Sequence, residues 1–241
     1  MNLADLVALQ LTAHFVADFY LQPQAWCEAK AEASGLSWTQ VQHAALVSAL
    51  AWLFSGLELS FVLYALLIGL THLFIDLRKS QQGQDRERAW YDGGGFLTDQ
   101  VMHIVMVLAA SCTYWTLTSD KWDIFGSHSK EWAILCMYVI CGKPTNFFIK
   151  AIMTVFDVSG QFNQGEESDT LVNAGKLIGM CERGLTLTFV LLNQFAAVGF
   201  LITAKSILRH DSNAEREYVL IGTLLSFGAA VLAGILVSLL P

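Results

Sequence analysis

The stretch Leu59-Ser60-Phe61-Val62-Leu63-Tyr64-Ala65-Leu66-Leu67-Ile68-Gly69-Leu70-Thr71-His72-Leu73 runs without a single Asp, Glu, Lys or Arg. Continued through Ile75 and Leu77, it approaches the roughly 20 residues that a helix needs to cross a hydrocarbon layer. Val101 to Leu117, Gly184 to Ala204 and Val219 to Leu240 are equally free of charge. Across 241 residues, 54% are apolar and only 15% charged, with a mean hydropathy of +0.48, which lies outside the usual range of a soluble domain. The reading is an all-α, polytopic transmembrane helical bundle.

Apolar runs set against polar breaks predict seven spans, at about 3–22, 40–57, 59–78, 97–118, 131–150, 177–204 and 218–240. The breaks include Pro23 to Thr39, a tight turn near Gly56 and Glu58, and a polar loop from Lys79 that ends in Gly93, Gly94 and Gly95. Two regions result: a four-helix region over 1–120 and a region of about three helices over 121–241. If the spans alternate, nine of the fourteen basic residues collect on one side, among them Lys30, Arg78, Lys79, Lys143, Lys176 and Arg183. That side is expected to be cytoplasmic, with the N-terminus outside.

The net charge of -7 offers no basic stripe for phosphates, so no nucleic-acid partner is expected. The lipid bilayer is the expected partner, and assembly with further copies or with another protein is left open. Met1 to Leu21 lacks a basic start and carries Asp5, His14 and Asp18, so it reads as a retained first span rather than a cleavable signal. The five cysteines form no CxxC pair and read as small buried hydrophobes. Trp26, Trp38, Trp90, Trp122 and Trp132 fall near span ends, as an aromatic belt would.

Chemistry is concentrated in the first four spans. His14, His43, His72 and His103 fall one to a span, separated by 29, 29 and 31 residues. Three of them have an aspartate four positions away: His14 with Asp18, His72 with Asp76, and His103 with Asp99. On a helix that spacing puts both side chains on one face, a turn apart. Alternating spans bring all seven groups to one level near the cytoplasmic interface. Ionisable groups inside a membrane are costly and face one another or a shared partner. Imidazoles and carboxylates in this number suit Zn2+, Mn2+ or Fe2+, and seven candidates exceed one tetrahedral shell, which favours two ions. His43, without an Asp at helical spacing, reads equally as a helix-helix hydrogen bonder. His128 and His210 read as solvated loop residues.

The segments His14-Phe15-Val16-Ala17-Asp18-Phe19-Tyr20-Leu21-Gln22, His43-Ala44-Ala45-Leu46, His72 to Ser80 and Asp99-Gln100-Val101-Met102-His103 resemble a bacterial membrane family catalogued as domain of unknown function 3307. The likeness covers about the first 120 residues, and Asn173 to Lys176, Glu182-Arg183, Ala204 to Arg209 and Glu217 to Thr223 resemble the end of its longer members. Ala17 stands where many members have Gly, and Lys176 where an Arg is expected. This resemblance implies a bacterial inner-membrane protein and names no reaction. His-x-x-x-Asp followed by Gln22-Pro23 is also similar to motifs of the zinc-dependent phospholipase C and nuclease group, and of membrane-bound metal-dependent hydrolases. That likeness implies ligation by His14, Asp18, His72 and Asp76, with Asp99, His103 and His43 completing the cluster. It also implies phosphoester hydrolysis.

On this reading the expected function is a metal-dependent hydrolase acting on a phosphoester or lipid-like substrate at the cytoplasmic interface, zinc being the favoured ion. The ion lowers the pKa of a bound water while a rim carboxylate or imidazole handles its proton. Gln22 and Arg183 are candidate substrate-binding residues. Gln22 reads equally as an interfacial cap, and Arg183 more readily as a structural partner for another helix. Two other classes remain open: a transporter or channel for a divalent metal or protons, and a structural or regulatory subunit whose metal staples helices together.

Overall fold

The computed structural model describes residues 2–33, 35–84, 93–118, 128–156, 169–208 and 216–240. These residues are helical almost throughout. The helices are α1 (Leu3–Phe19), α2 (Gln24–Glu32), α3 (Trp38–Phe54), α4 (Val62–Gln84, preceded by a 3-10 turn at Leu59–Phe61) and α5 (Gly93–Leu117). They continue as α6 (Ser129–Cys141), α7 (Lys143–Val155), α8 (Asp169–Leu191), α9 (Phe195–Leu208) and α10 (Arg216–Ser238). The chain divides into two compact units, Met1–Cys136 and Met137–Pro241.

Local chemistry sets several ends. Asn2 and Asp5 form a reciprocal capping box at the start of α1, with Asp5 N donating to Asn2 Oδ1 at 2.9 Å and Asn2 N to Asp5 Oδ2 at 2.7 Å. Ser37 and Gln40 do the same for α3. Between α3 and the 3-10 turn the chain reverses through Gly56 at φ 82° and Leu57 at φ 58°. A left-handed Leu is strained, so glycine beside it spares a second such penalty.

In the first unit α1, α3, α4 and α5 pack in a ring, α1 on α3, α3 on α4, α4 on α5 and α5 on α1, with α2 lying on α3 and α4. One end of the ring is filled by Leu6, Val47, Ala51, Phe61, Ala65, Ile68, Val107 and Tyr114. There the Tyr114 ring meets Phe61 at 4.9 Å and Tyr64 at 5.3 Å between centroids. In the second unit α8 packs against α10, α9 and α7.

Among the described residues three helices are long and apolar enough to cross a membrane, Leu59–Ser80, Gly93–Leu117 and Leu220–Ser238, and only 28–33% of each apolar window is buried. Leu63, Leu70, Leu224 and Leu236 stand outward. Such apolar surface is expected where lipid, not water, is the neighbour. The bent pair α6 and α7 makes a fourth if counted as one span. The seven-span expectation meets shorter helices elsewhere: α1 and α3 have 17 residues each, about 26 Å at 1.5 Å per residue.

Three expectations change. The span expected at 131–150 is two helices bent by 52° at Gly142, where Pro144 at the start of α7 has no backbone N–H to continue the ladder. The span expected at 177–204 is likewise two helices, interrupted at Asn193, whose φ of 57° no helix accepts. Gly93, Gly94 and Gly95 form the first turn of α5 instead of the end of a loop, and the expected break from Pro23 contains α2.

Candidate metal centre

Each ring helix contributes the predicted groups at the same end. His14 and Asp18 lie in the last turns of α1, His43 in the second turn of α3, His72 and Asp76 about the middle of α4, and Asp99 and His103 near the start of α5. Chain direction alternates between these helices, so the i, i+4 pairs converge. The four histidines are at most 3% exposed and Asp99 is 7% exposed.

The tightest part is a triangle. His43 Nε2 and His72 Nε2 are 3.0 Å apart, and Asp18 Oδ1 lies 3.2 Å from the first and 3.5 Å from the second. Ligands on one tetrahedral zinc at about 2.0–2.1 Å are separated by about 3.3 Å, so the triangle has the size of one face of such a shell. His72 Nε2 is also 3.8 Å from Asp76 Oδ2. On the far side of Asp76, Oδ1 lies 3.9 Å from His103 Nε2, and Asp99 Oδ1 is 3.8 Å from His103 Nδ1. The His72 and His103 rings are 4.0 Å apart, so the two halves share a wall.

Orphaned atoms test whether the residues suit a metal. His43 Nδ1, His103 Nε2, Asp18 Oδ1 and Asp99 Oδ1 are buried without a hydrogen-bond partner among the described residues. Each unpaired buried group costs about 1–3 kcal/mol, and a cation at the triangle recovers that cost for Asp18 Oδ1. Among the described residues three triads bring one ligand atom per residue within 4.8 Å of one another: His14, Asp18 and His72; His43, His72 and Asp76; Asp76, Asp99 and His103. Imidazole nitrogen with carboxylate oxygen is the donor set that zinc, manganese and iron accept. The residues therefore fit.

Residues 6–131 match the family described as Protein of unknown function (DUF3307). The chain belongs to this family. The DUF3307 match takes in α1 to α5 and all seven clustered residues, whereas Arg183 lies beyond it. No curated protein and no solved structure matches the chain.

Sequence reasoning missed the lysines of the DUF3307 region. Lys30 of α2, itself only 4% exposed, donates to Asp76 Oδ2 at 2.6 Å, and Lys79 of α4 donates to Asp99 Oδ2 at 2.8 Å. Lys79 also stands 5.9 Å from the Phe96 ring centroid. It sits three residues after Asp76, a helical spacing that points to Asp76 and not to Asp99, while Lys30 lies in a segment read as a break. Gln100 was missed too: its amide nitrogen is 3.5 Å from both Asp18 Oδ2 and Asp99 Oδ2. Gln40 ties α3 to α4 by donating to Ser80 Oγ at 3.0 Å, and Ser80 donates to Asp76 O at 3.1 Å.

The remaining expected residues stand apart from these contacts. Gln22 is half-buried in the turn after α1. Arg183, in the second unit and 2% exposed, is occupied within that unit. Its guanidinium donates to Cys141 O at 2.6 Å, Gly142 O at 3.0 Å, Asn146 Oδ1 at 2.7 Å and Ser226 Oγ at 3.0 Å. The neighbouring Glu182 pairs with Lys205. His128 is exposed beside Glu131, and His210 lies outside the described residues.

Proposed function

We propose that this chain is a metal-dependent hydrolase of the bacterial inner membrane, acting on a phosphoester or lipid-like substrate at the cytoplasmic interface. In this reading the chain crosses the bilayer seven times with its N-terminus outside, and the His/Asp cluster opens towards the cytoplasm. Zinc is the favoured ion, with manganese and iron compatible with the same ligands. The observation that carries the reading is the buried triangle of Asp18 Oδ1, His43 Nε2 and His72 Nε2, with edges of 3.0, 3.2 and 3.5 Å, whose Asp18 Oδ1 lacks a hydrogen-bond partner among the described residues.

When bound, the ion supplies Lewis-acid polarisation and a water of lowered pKa. The chain supplies the rest. His103, with Nε2 facing Asp76 Oδ1 at 3.9 Å, is placed to take or return a proton. Burial of the rings keeps bulk water from the reacting atoms.

A conduit needs a polar route along the helices, and the core beyond the cluster argues against one. Phe61, Ala65, Ile68, Val107 and Tyr114 fill it, the polar Thr12 and Ser111 bond carbonyls of their own helices, and the buried Gln10 donates to Ala51 O at 2.9 Å.

The test is turnover by the purified full chain in nanodiscs against a chromogenic phosphodiester and a phospholipid. Activity is expected to vanish on chelation, to return with zinc, and to be absent with the bound metal in Asp18→Asn. Failure of the wild-type chain to retain any divalent metal would falsify the reading. Tight retention without turnover of either substrate favours the metal staple, and zinc uptake into proteoliposomes favours the transporter.

A further inference from the structure

The cluster divides into two halves by charge. In one, Asp18 lies against His43 and His72 with no ammonium group within 4.0 Å among the described residues. In the other, with His103, both carboxylates already hold a lysine: Asp76 has Lys30 at 2.6 Å and Asp99 has Lys79 at 2.8 Å. The pairing is built in from two elements. Lys30 comes from the short helix α2 laid over α3 and α4, and Lys79 from α4 itself, one turn beyond Asp76.

We propose that Lys30 and Lys79 take the place of a second cation, so that the centre binds a single divalent ion through Asp18, His43 and His72. The proposal rests on the metal reading above and narrows it, since seven candidate ligands by themselves favour two ions.

Charge bookkeeping supports the narrower count. Three aspartates and two lysines, with imidazoles counted as neutral because metal ligation requires it, give the cluster a net charge of −1. One divalent ion takes it to one positive charge, which a single anionic group of a ligand cancels. A second ion takes it to three positive charges inside a buried ring of helices, where uncompensated charge is costly. Geometry agrees. Lys30 Nζ is seated on Asp76 Oδ2, the oxygen that faces His72 Nε2, so the triad of His43, His72 and Asp76 already has a cation at its third corner. His103 Nδ1 lies 2.9 Å from Asp99 O, so only its Nε2 remains for other work.

The experiment is a metal count on the full chain in detergent, stripped with chelator and reloaded with zinc alone. Elemental analysis is expected to give one zinc per chain, and a parallel cobalt titration to saturate its visible d–d bands at one equivalent. Asp99→Asn is expected to keep that ion, and Asp18→Asn to lose it. Replacing both lysines by Met is expected to admit a second equivalent, whereas replacing both by Arg holds the count at one. Two ions in the wild-type chain overturn this proposal and leave the metal reading intact. No ion in the wild type overturns both. If the double Met variant fails to fold, the wild-type count and Asp99→Asn still decide, because loss of the ion in Asp99→Asn places it in the wrong half.

Discussion

Gly69 of α4 faces Ala44 of α3 so closely that a β-carbon at position 69 would lie 2.7 Å from the Ala44 carbonyl oxygen. It would also collide with Ser48 Oγ. Gly69 sits one turn before His72, and Ala44 follows His43, so this contact sets how near the two imidazoles come. Gly69→Ala is expected to force the helices apart at a cost of about 1–3 kcal/mol. Metal shells tolerate only about 0.2 Å of ligand displacement. Zinc affinity is therefore expected to fall at least about 10-fold, read by competition with a fluorescent chelator. Adding Ser48→Ala relieves only the hydroxyl collision, so the double variant recovers part of the loss. An unchanged affinity in Gly69→Ala would show that the 3.0 Å approach of His43 and His72 is irrelevant to binding.

Metal removal should be visible in stability as well as activity. Asp18 Oδ1 is buried without a hydrogen-bond partner among the described residues, so the zinc-loaded chain is expected to resist unfolding better than the stripped chain. At free zinc of about 100 times Kd the gain is about 2.7 kcal/mol. The comparison is a thermal or denaturant melt of the same detergent-solubilised sample with and without chelator. Superimposable curves count against a buried cation.

Arg183 makes a prediction about the second unit. It satisfies the carbonyls of Cys141 and Gly142 where α6 breaks from α7, and its flat fork reaches Asn146 and Ser226 as well. A lysine cannot reproduce that fan of donors. Arg183→Lys and Arg183→Met are both expected to destabilise the chain by about 3 kcal/mol or more, measured by unfolding in mixed micelles. Wild-type stability in Arg183→Lys would show that point charge alone suffices at the break.

Close packing at α8 and α10 gives a parallel case. A β-carbon at Gly234 would lie 2.5 Å from Val190 Cγ1 and 2.8 Å from Val190 Cβ. Gly234→Ala is expected to cost about 1–3 kcal/mol by overpacking, and Val190→Ala in the same chain to recover only part of it, because the Val190 Cβ contact remains. The same unfolding assay reads both.

The helical face shared by His and Asp four residues apart was legible because one period, 3.6, governs both the apolar stripe and the ligand pairs. His43 lacked an Asp in its own helix and gained meaning only from α1 and α4 in space. Lys30 and Lys79 were hidden for a different reason: basic residues at span ends are ordinarily explained by the positive-inside bias, and nothing local reveals which carboxylate they reach. Gly142 followed by Pro144 did carry the signal of a helix restart, yet the apolar run around it masked the break. The interruption at Asn193 had no comparable warning, since an asparagine in an apolar helix is an ordinary sight.

The aromatic trio of Phe61, Tyr64 and Tyr114 fills the ring at the end away from the histidines, and Tyr114 lies 11 positions beyond His103 on α5, about 17 Å along the axis. In a bilayer, voltage falls across insulating material, and here that insulator is the greasy half containing the trio. With the cluster opening to the cytoplasm as proposed, the imidazoles share the electrical potential of that compartment, and loading of a cation is expected to be indifferent to membrane polarisation.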